Sequence, residues 1–157
     1  MTDALSRKTA LEVGREHWIW RRDNPEVDPI YWPGWAEISH TPTWGGTDAC
    51  TCCLYATQKV GKSSGSVRNE ICRRYCPLRN FWPKADYGCP CCVPDSPYDT
   101  WRDEESTPQK VHDAAEQIIR YHTMALTNLA KERRHGGRMK NEGRLIHDGR
   151  TKTNTAV

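Results

Sequence analysis

Eight cysteines lie between positions 50 and 92 of a chain of 157 residues, in three short clusters. The clusters at 50–53 and 89–92 each have the pattern Cys-x2-Cys with an additional cysteine at the third position, and the cluster at 72–76 is a Cys-x3-Cys. A Cys-x2-Cys turn places two thiolates on one side of a tight loop, as two corners of a tetrahedron around a zinc ion require at about 2.3 Å per bond. Two such turns close a four-thiolate site, so the spacing predicts a metal centre.

The candidate ligands are the six cysteines at the ends of the clusters: Cys50, Cys53, Cys72, Cys76, Cys89 and Cys92. The 18 residues between Cys53 and Cys72 are typical of paired zinc half-sites, so the first four ligands form the predicted site. The cluster at 89–92 either substitutes for one of these pairs or begins a second site with Cys52 and Cys91.

We expect one or two Zn²⁺ ions, because eight thiolates suffice for two closed sites of four. An iron–sulfur cluster uses the same ligand type and is one alternative, and disulfides are another. Whether Cys52 and Cys91 are ligands stays open, since adjacent side chains of an extended chain point to opposite faces.

The composition favours a structural role for a metal ion. Leu, Ile, Val and Phe together make up 22 of the 157 residues, below the roughly 20% that usually accompanies a packed core. The 7 Trp and 6 Tyr offer ring area to bury instead. Zinc binding, with an apparent free energy of ~10 kcal/mol or more, could supply the rest of the folding free energy.

The predicted fold class is a small irregular α+β fold, with a metal-stabilised cysteine-rich core and flanking helices. Four segments are expected along the chain: an N-terminal helix in 1–24, a Trp/Pro-rich and cysteine-rich metal-binding body in 25–106, a C-terminal amphipathic helix in 107–135 and a basic tail in 136–157.

The two flanking helices have recognisable ends. Ser6 is placed to cap the first helix, which we expect over 6–22, with Gly14 as a weak point in its interior. Pro108 is expected in the first turn of the second helix, and Gly136-Gly137 are expected to stop it. His122, on the apolar stripe of this helix, is predicted to be a hydrogen-bonded core histidine rather than a ligand.

Two patterns resemble catalytic motifs without the structural context that those motifs need. Residues 56–63 fit a loose phosphate-binding loop, but they follow a cysteine cluster directly instead of a buried strand. His135, Asn141 and His147 have the residue order of an HNH nuclease, but their short, equal spacing does not suit that family's hairpin and helix. We therefore expect a protein that is not an enzyme.

Charge and hydropathy limit where the chain can act. No run of 18 apolar residues is present, so no membrane span is expected. The N-terminus lacks a secretory signal, which favours a cytoplasmic location and reduced thiols. The net charge is +3, but residues 59–84 are strongly basic and residues 86–116 are strongly acidic. These two segments could neutralise each other, or the basic one could meet a polyanion.

Residues 17–125 resemble small cysteine-rich proteins of unknown function from tailed-bacteriophage genomes. The likeness is carried by three motifs: Cys50-x2-Cys53-Leu54-Tyr55-Ala56, Cys76-Pro77-Leu78, and Cys92 followed by Ser96-Pro97-Tyr98-x2-Trp101. The resemblance implies a phage accessory protein that acts in the cytoplasm of the infected bacterial host cell.

The leading interpretation is a non-enzymatic, zinc-stabilised phage accessory protein that binds a macromolecular partner, a host or phage protein, through exposed aromatic rings. One alternative is a nucleic-acid-binding zinc protein that uses the tail and the cations of the 59–84 segment: Lys59, Lys62, Arg68, Arg73, Arg74 and Arg79. The other alternative is a virion component with an extended C-terminal arm.

Overall fold

A computed structural model describes residues 5–28, 31–38, 50–60, 68–81, 96–103 and 105–147 of the chain. These residues form six α-helices and one 3₁₀ turn: α1 (Arg7–Asp23), α2 (Trp35–Ile38), α3 (Thr51–Val60), α4 (Arg68–Tyr75), the turn Arg79–Phe81, α5 (Pro97–Arg102) and α6 (Pro108–His147). The chain divides into two compact units, Met1–Leu126 and Thr127–Val157, and the boundary between them falls within α6.

The predicted α+β fold class is wrong, because the described part of the chain is helical and contains no strand. The reason lies in the first cysteine cluster. The backbone amides of Cys53 and Leu54 donate to the carbonyl of Cys50, at 2.8 and 3.1 Å, and so form the first turn of α3. A Cys-x2-Cys pattern suits a helical turn as well as a looped one, and here the helical turn is adopted.

The first helix matches its prediction. Ser6 is the N-cap of α1, and its hydroxyl accepts a hydrogen bond from the Thr9 amide at 3.0 Å. The helix ends at Asp23, just before Asn24-Pro25. One side of α1 is buried, and Gly14 is part of this buried side.

The last helix begins where predicted but does not end there. Pro108 is its first residue, and the Thr107 hydroxyl accepts a hydrogen bond from the Lys110 amide at 3.4 Å. The expected stop at Gly136-Gly137 is wrong, because α6 continues to His147. A glycine inside a helix costs only about 1 kcal/mol relative to alanine, and no proline follows to end the helix.

The core of the first unit is built around α1, α3 and α4, since α1 packs against α3 and α3 packs against α4. This core contains aliphatic side chains, small residues and cysteines. Its largest fully buried side chains are Leu11, Leu78, Ile118, His122, Thr51 and Cys52. His122, from α6, therefore lies in this core, as predicted.

Aromatic rings supply the area that aliphatic residues do not. Trp18 makes edge-to-face contacts with Tyr98, at 4.9 Å between ring centroids, and with Trp101, at 5.5 Å. Trp32 packs edge-to-face on Trp35 at 4.8 Å. Such geometries suit the charge distribution of aromatic rings. The motif Ser96-Pro97-Tyr98-x2-Trp101 thus has a structural role, because it forms α5 and places two rings against α1.

Among the helices that the structure describes, none is both long and apolar enough to cross a membrane.

Candidate metal centre and basic cleft

The structure brings two of the predicted ligands together. Cys53 lies on α3 and Cys72 on α4, and their Sγ atoms are 3.8 Å apart. Two thiolates bound to one tetrahedral zinc ion, each at about 2.3 Å, are separated by about 3.8 Å. A disulfide would place the sulfurs about 2.05 Å apart, so the observed distance does not correspond to an S–S bond.

The other described cysteines lie in different surroundings. The Sγ atom of Cys50 is 3.7 Å from the Tyr98 hydroxyl. Cys76 follows Cys72 by one helical turn, with its amide donating to the Cys72 carbonyl at 3.0 Å, and it is buried. Both cysteines of this cluster are therefore covered, although Cys76 also contributes to the wall of a surface cleft.

Cys52 is engaged with a histidine of the core. Its Sγ atom lies 3.7 Å from His122 Nε2, while His122 Nδ1 is 2.9 Å from the Ile118 carbonyl. Because a carbonyl only accepts, Nδ1 carries the proton, and Nε2 is the nitrogen that can accept from the Cys52 thiol. Burial lowers the pKa of His122, which keeps the imidazole neutral. The sequence indicated the core histidine but not its cysteine partner.

In the part of the chain that the structure describes, no group of three or more His, Cys, Asp or Glu side chains forms a metal site. Cys89, Cys91 and Cys92 lie outside the described residues. The Cys53 and Cys72 pair is therefore the pair of predicted ligands for which a contact is described, and the complete set of ligands stays a prediction.

A second feature is a surface cleft of about 130 Å³ next to Cys76. We call it the basic cleft, and its lining residues are Arg7, Tyr55, Arg74, Tyr75, Cys76, Pro77, Arg79 and Asn80. Arg74 and Arg79 are exposed and belong to the segment 59–84 that the sequence indicated as basic. Arg7 and the two tyrosines were missed, because only the packing of α1 against α3 brings Arg7 to this place.

Cations also lie over both tyrosine rings of the basic cleft. The Lys59 Nζ atom is 5.3 Å from the ring centroid of Tyr55, and the Arg74 guanidinium carbon is 5.7 Å from that of Tyr75. Attraction between the cation and the ring face favours these positions. Both cations thereby lie next to a tyrosine that lines the cleft. Of the other predicted cations, Lys62 lies outside the described residues.

The two motifs that resemble catalytic ones have no catalytic arrangement in the described residues. Residues 56–60 are the last part of α3, so this stretch is helix and not a loop after a strand. His135, Asn141 and His147 lie on one helix, α6, without the hairpin that an HNH nuclease uses.

Comparisons with models of known protein families, with curated proteins and with solved structures found no match for this chain. The resemblance to bacteriophage proteins therefore stays a prediction, and function must be argued from the residues themselves.

Proposed function

We propose that the protein is a non-enzymatic, zinc-stabilised binding protein that acts on a macromolecular partner in a phage-infected bacterial cell. The observation that carries the zinc assignment is the Cys53–Cys72 separation of 3.8 Å between two helices, which equals the edge of a four-thiolate zinc tetrahedron. The phage setting and the cytoplasmic location rest on the sequence resemblance.

The lengths of the helices explain why an ion would be needed. α3 has 10 residues and α4 has 8, whereas isolated helices shorter than roughly 12–15 residues are marginal in water. A zinc ion bound to Cys53 and Cys72 would link the two helices directly. Its apparent binding free energy, ~10 kcal/mol or more, is comparable to the whole stability of a small domain.

We infer that Cys53 and Cys72 are two of the ligands and that the others come from Cys50, Cys76, Cys89 and Cys92. Cys52 is assigned to the His122 contact instead, because its thiol faces the imidazole in the core. A zinc ion on thiolates alone is a closed site without an open position for substrate, which is the arrangement of structural rather than catalytic zinc.

Native mass spectrometry with elemental analysis tests this assignment. We expect zinc in the purified chain. The single variants Cys53→Ser and Cys72→Ser should each lose one zinc ion. Cys52→Ser makes the same chemical change one residue away and should keep its zinc. Replacing zinc by Co²⁺ should produce thiolate charge-transfer absorption in the unmodified chain. A metal-free native chain, or full zinc content in Cys53→Ser, would contradict the proposal.

The sequence predicted that exposed aromatic rings would bind a protein partner, and the described aromatic residues give this prediction little support. A host-protein surface made of exposed tryptophans is not found among the described residues, where Trp18 and Trp32 are buried and Trp20, Trp35 and Trp101 are half-buried. Tyr31, with 73% of its surface exposed, is the most exposed ring of this part of the chain. A host protein and a virion role both stay predictions, and the charged surface gives a more specific indication.

A further inference from the structure

We propose that the basic cleft binds phosphate groups of a single-stranded nucleic acid, without reading its sequence. This inference rests on the proposed function, since it names the macromolecule that the zinc-stabilised body would bind. Its support is that three arginines from three elements line one small cleft.

The three arginines reach the cleft from separate parts of the fold. Arg7 is the first residue of α1, Arg74 lies near the end of α4, and Arg79 begins the 3₁₀ turn. A guanidinium group can donate two parallel hydrogen bonds to a phosphate, which makes arginine better suited than lysine to this task. Among the described residues that line the cleft, the charged ones are all arginines.

The tyrosines add hydrogen-bond donors at the same place. Tyr55 and Tyr75 belong to the lining, and a phenolic O–H group can donate to a phosphate oxygen. The α4 helix ends at Tyr75, and the C-terminal end of a helix dipole does not attract anions. The positive charge beside this end of α4 therefore comes from side chains, and mutating Arg74 and Arg79 removes their share of it.

Size and surroundings favour a polymer over a lone phosphate. The cleft has a volume of about 130 Å³, which is enough for a single phosphate group. Outside the cleft, Lys59 continues the positive surface beside Tyr55. A flexible single strand can place one phosphate in the cleft and the next ones along this surface. Inorganic phosphate would contact only the cleft.

Fluorescence anisotropy with a labelled oligothymidylate tests the inference, using the full chain loaded with zinc. The decisive variant is Arg74→Ala/Arg79→Ala, which should weaken binding by about tenfold or more, because a hydrogen bond to a charged group contributes about 1.5 kcal/mol or more. It should also reduce the slope of log K against log salt by about 1.4, since each single-strand phosphate contact contributes about 0.7. The matched control, Lys110→Ala/Arg120→Ala, removes the same charge from exposed positions of α6 and should change neither quantity.

Three results would overturn the inference. The first is the absence of binding by the zinc-loaded chain at about 50 mM salt. The second is an equal loss of affinity in the control variant, which would indicate general charge attraction instead of a site. The third is displacement of the oligonucleotide by inorganic phosphate at the same phosphate concentration, which would indicate a small ligand.

Zinc content, measured on the same samples, separates this inference from the function on which it rests. A zinc-loaded chain that does not bind the oligonucleotide contradicts only the nucleic-acid assignment, and a protein partner is then the remaining interpretation. A native chain without zinc contradicts the proposed function itself. The Arg74→Ala/Arg79→Ala variant is expected to keep its zinc, because neither residue is a candidate ligand.

Discussion

Gly14 on α1 lies so close to His122 on α6 that a methyl group at Gly14 would be 2.6 Å from the imidazole Nε2. The same methyl group would be 2.6 Å from the hydroxyl oxygen of Thr51 on α3. Three helices of the first unit therefore meet at a residue without a side chain. The glycine that weakens α1 as an isolated helix is what allows α3 and α6 to approach it.

Gly14→Ala should destabilise the protein by about 1–3 kcal/mol, the usual cost of inserting a methyl group into a packed core. In an open helical position the same substitution stabilises by about 1 kcal/mol, so the sign of the effect is decided by the contacts. Urea unfolding of the zinc-loaded chain measures the change. Gly137→Ala, a glycine substitution within α6, is the matched control and should raise helix content; a stabilising Gly14→Ala would contradict the close approach.

Thr51→Val tests the hydrogen bond that joins α3 to α1. The Thr51 hydroxyl is buried and donates to the Ala10 carbonyl at 2.8 Å. Valine keeps the shape and removes the donor, so we expect a loss of about 1 kcal/mol in the free energy of unfolding. Thr123→Val removes a similar bond, 3.0 Å to the Ile119 carbonyl, at an exposed position of α6. An effect at Thr51 no larger than that at Thr123 would mean that the buried bond contributes no more to stability than the exposed one.

The stability of the protein should decrease in mild acid because of His17. Its imidazole is buried and packs against Trp32 at 4.7 Å and Trp35 at 4.6 Å, between ring centroids. The pKa of His17 is lowered from 6.5 to about 3, chiefly by burial; Arg21 and His122 contribute to the lowering, while Cys50 acts in the opposite direction. The folded state thus binds the proton more weakly than the unfolded state does.

This contribution is fully present above the unfolded pKa of 6.5 and is lost as the pH falls from there toward 3. At about pH 5 the loss for this one group is about 2 kcal/mol. Urea unfolding at neutral pH and near pH 5 measures it, in the unmodified chain and in His17→Phe. Because both chains contain the same cysteines, the contribution of the thiolates cancels when the pH dependence of one chain is subtracted from that of the other. Equal pH dependence in both would show that His17 is not the group responsible.

The ends of the flanking helices could be predicted because their signals are local. Ser6 caps α1 with its own hydroxyl, and Pro108 has no amide to leave unpaired in the first turn of α6. The stop at Gly136-Gly137 was wrong because glycine permits a helix end without requiring one. Whether it ends a helix depends on the residues that follow.

The candidate site was only partly predictable for a different reason. The cysteine spacing indicated Cys53 and Cys72 as ligands of one site, but it is equally compatible with looped and helical turns, so it gave the wrong fold class. The contacts of Cys52 with His122, and of Arg7 with the basic cleft, join residues far apart in the sequence. Such pairs depend on how the helices pack, and no local pattern encodes them.

Removal of the metal, followed by far-ultraviolet circular dichroism and elemental analysis, tests the central claim most directly. If an ion between Cys53 and Cys72 substitutes for the missing aliphatic core, chelation should remove zinc, abolish most of the helical signal and make it recoverable on addition of Zn²⁺. A chain that stays fully helical and unfolds cooperatively when it is free of zinc and of iron would contradict the account.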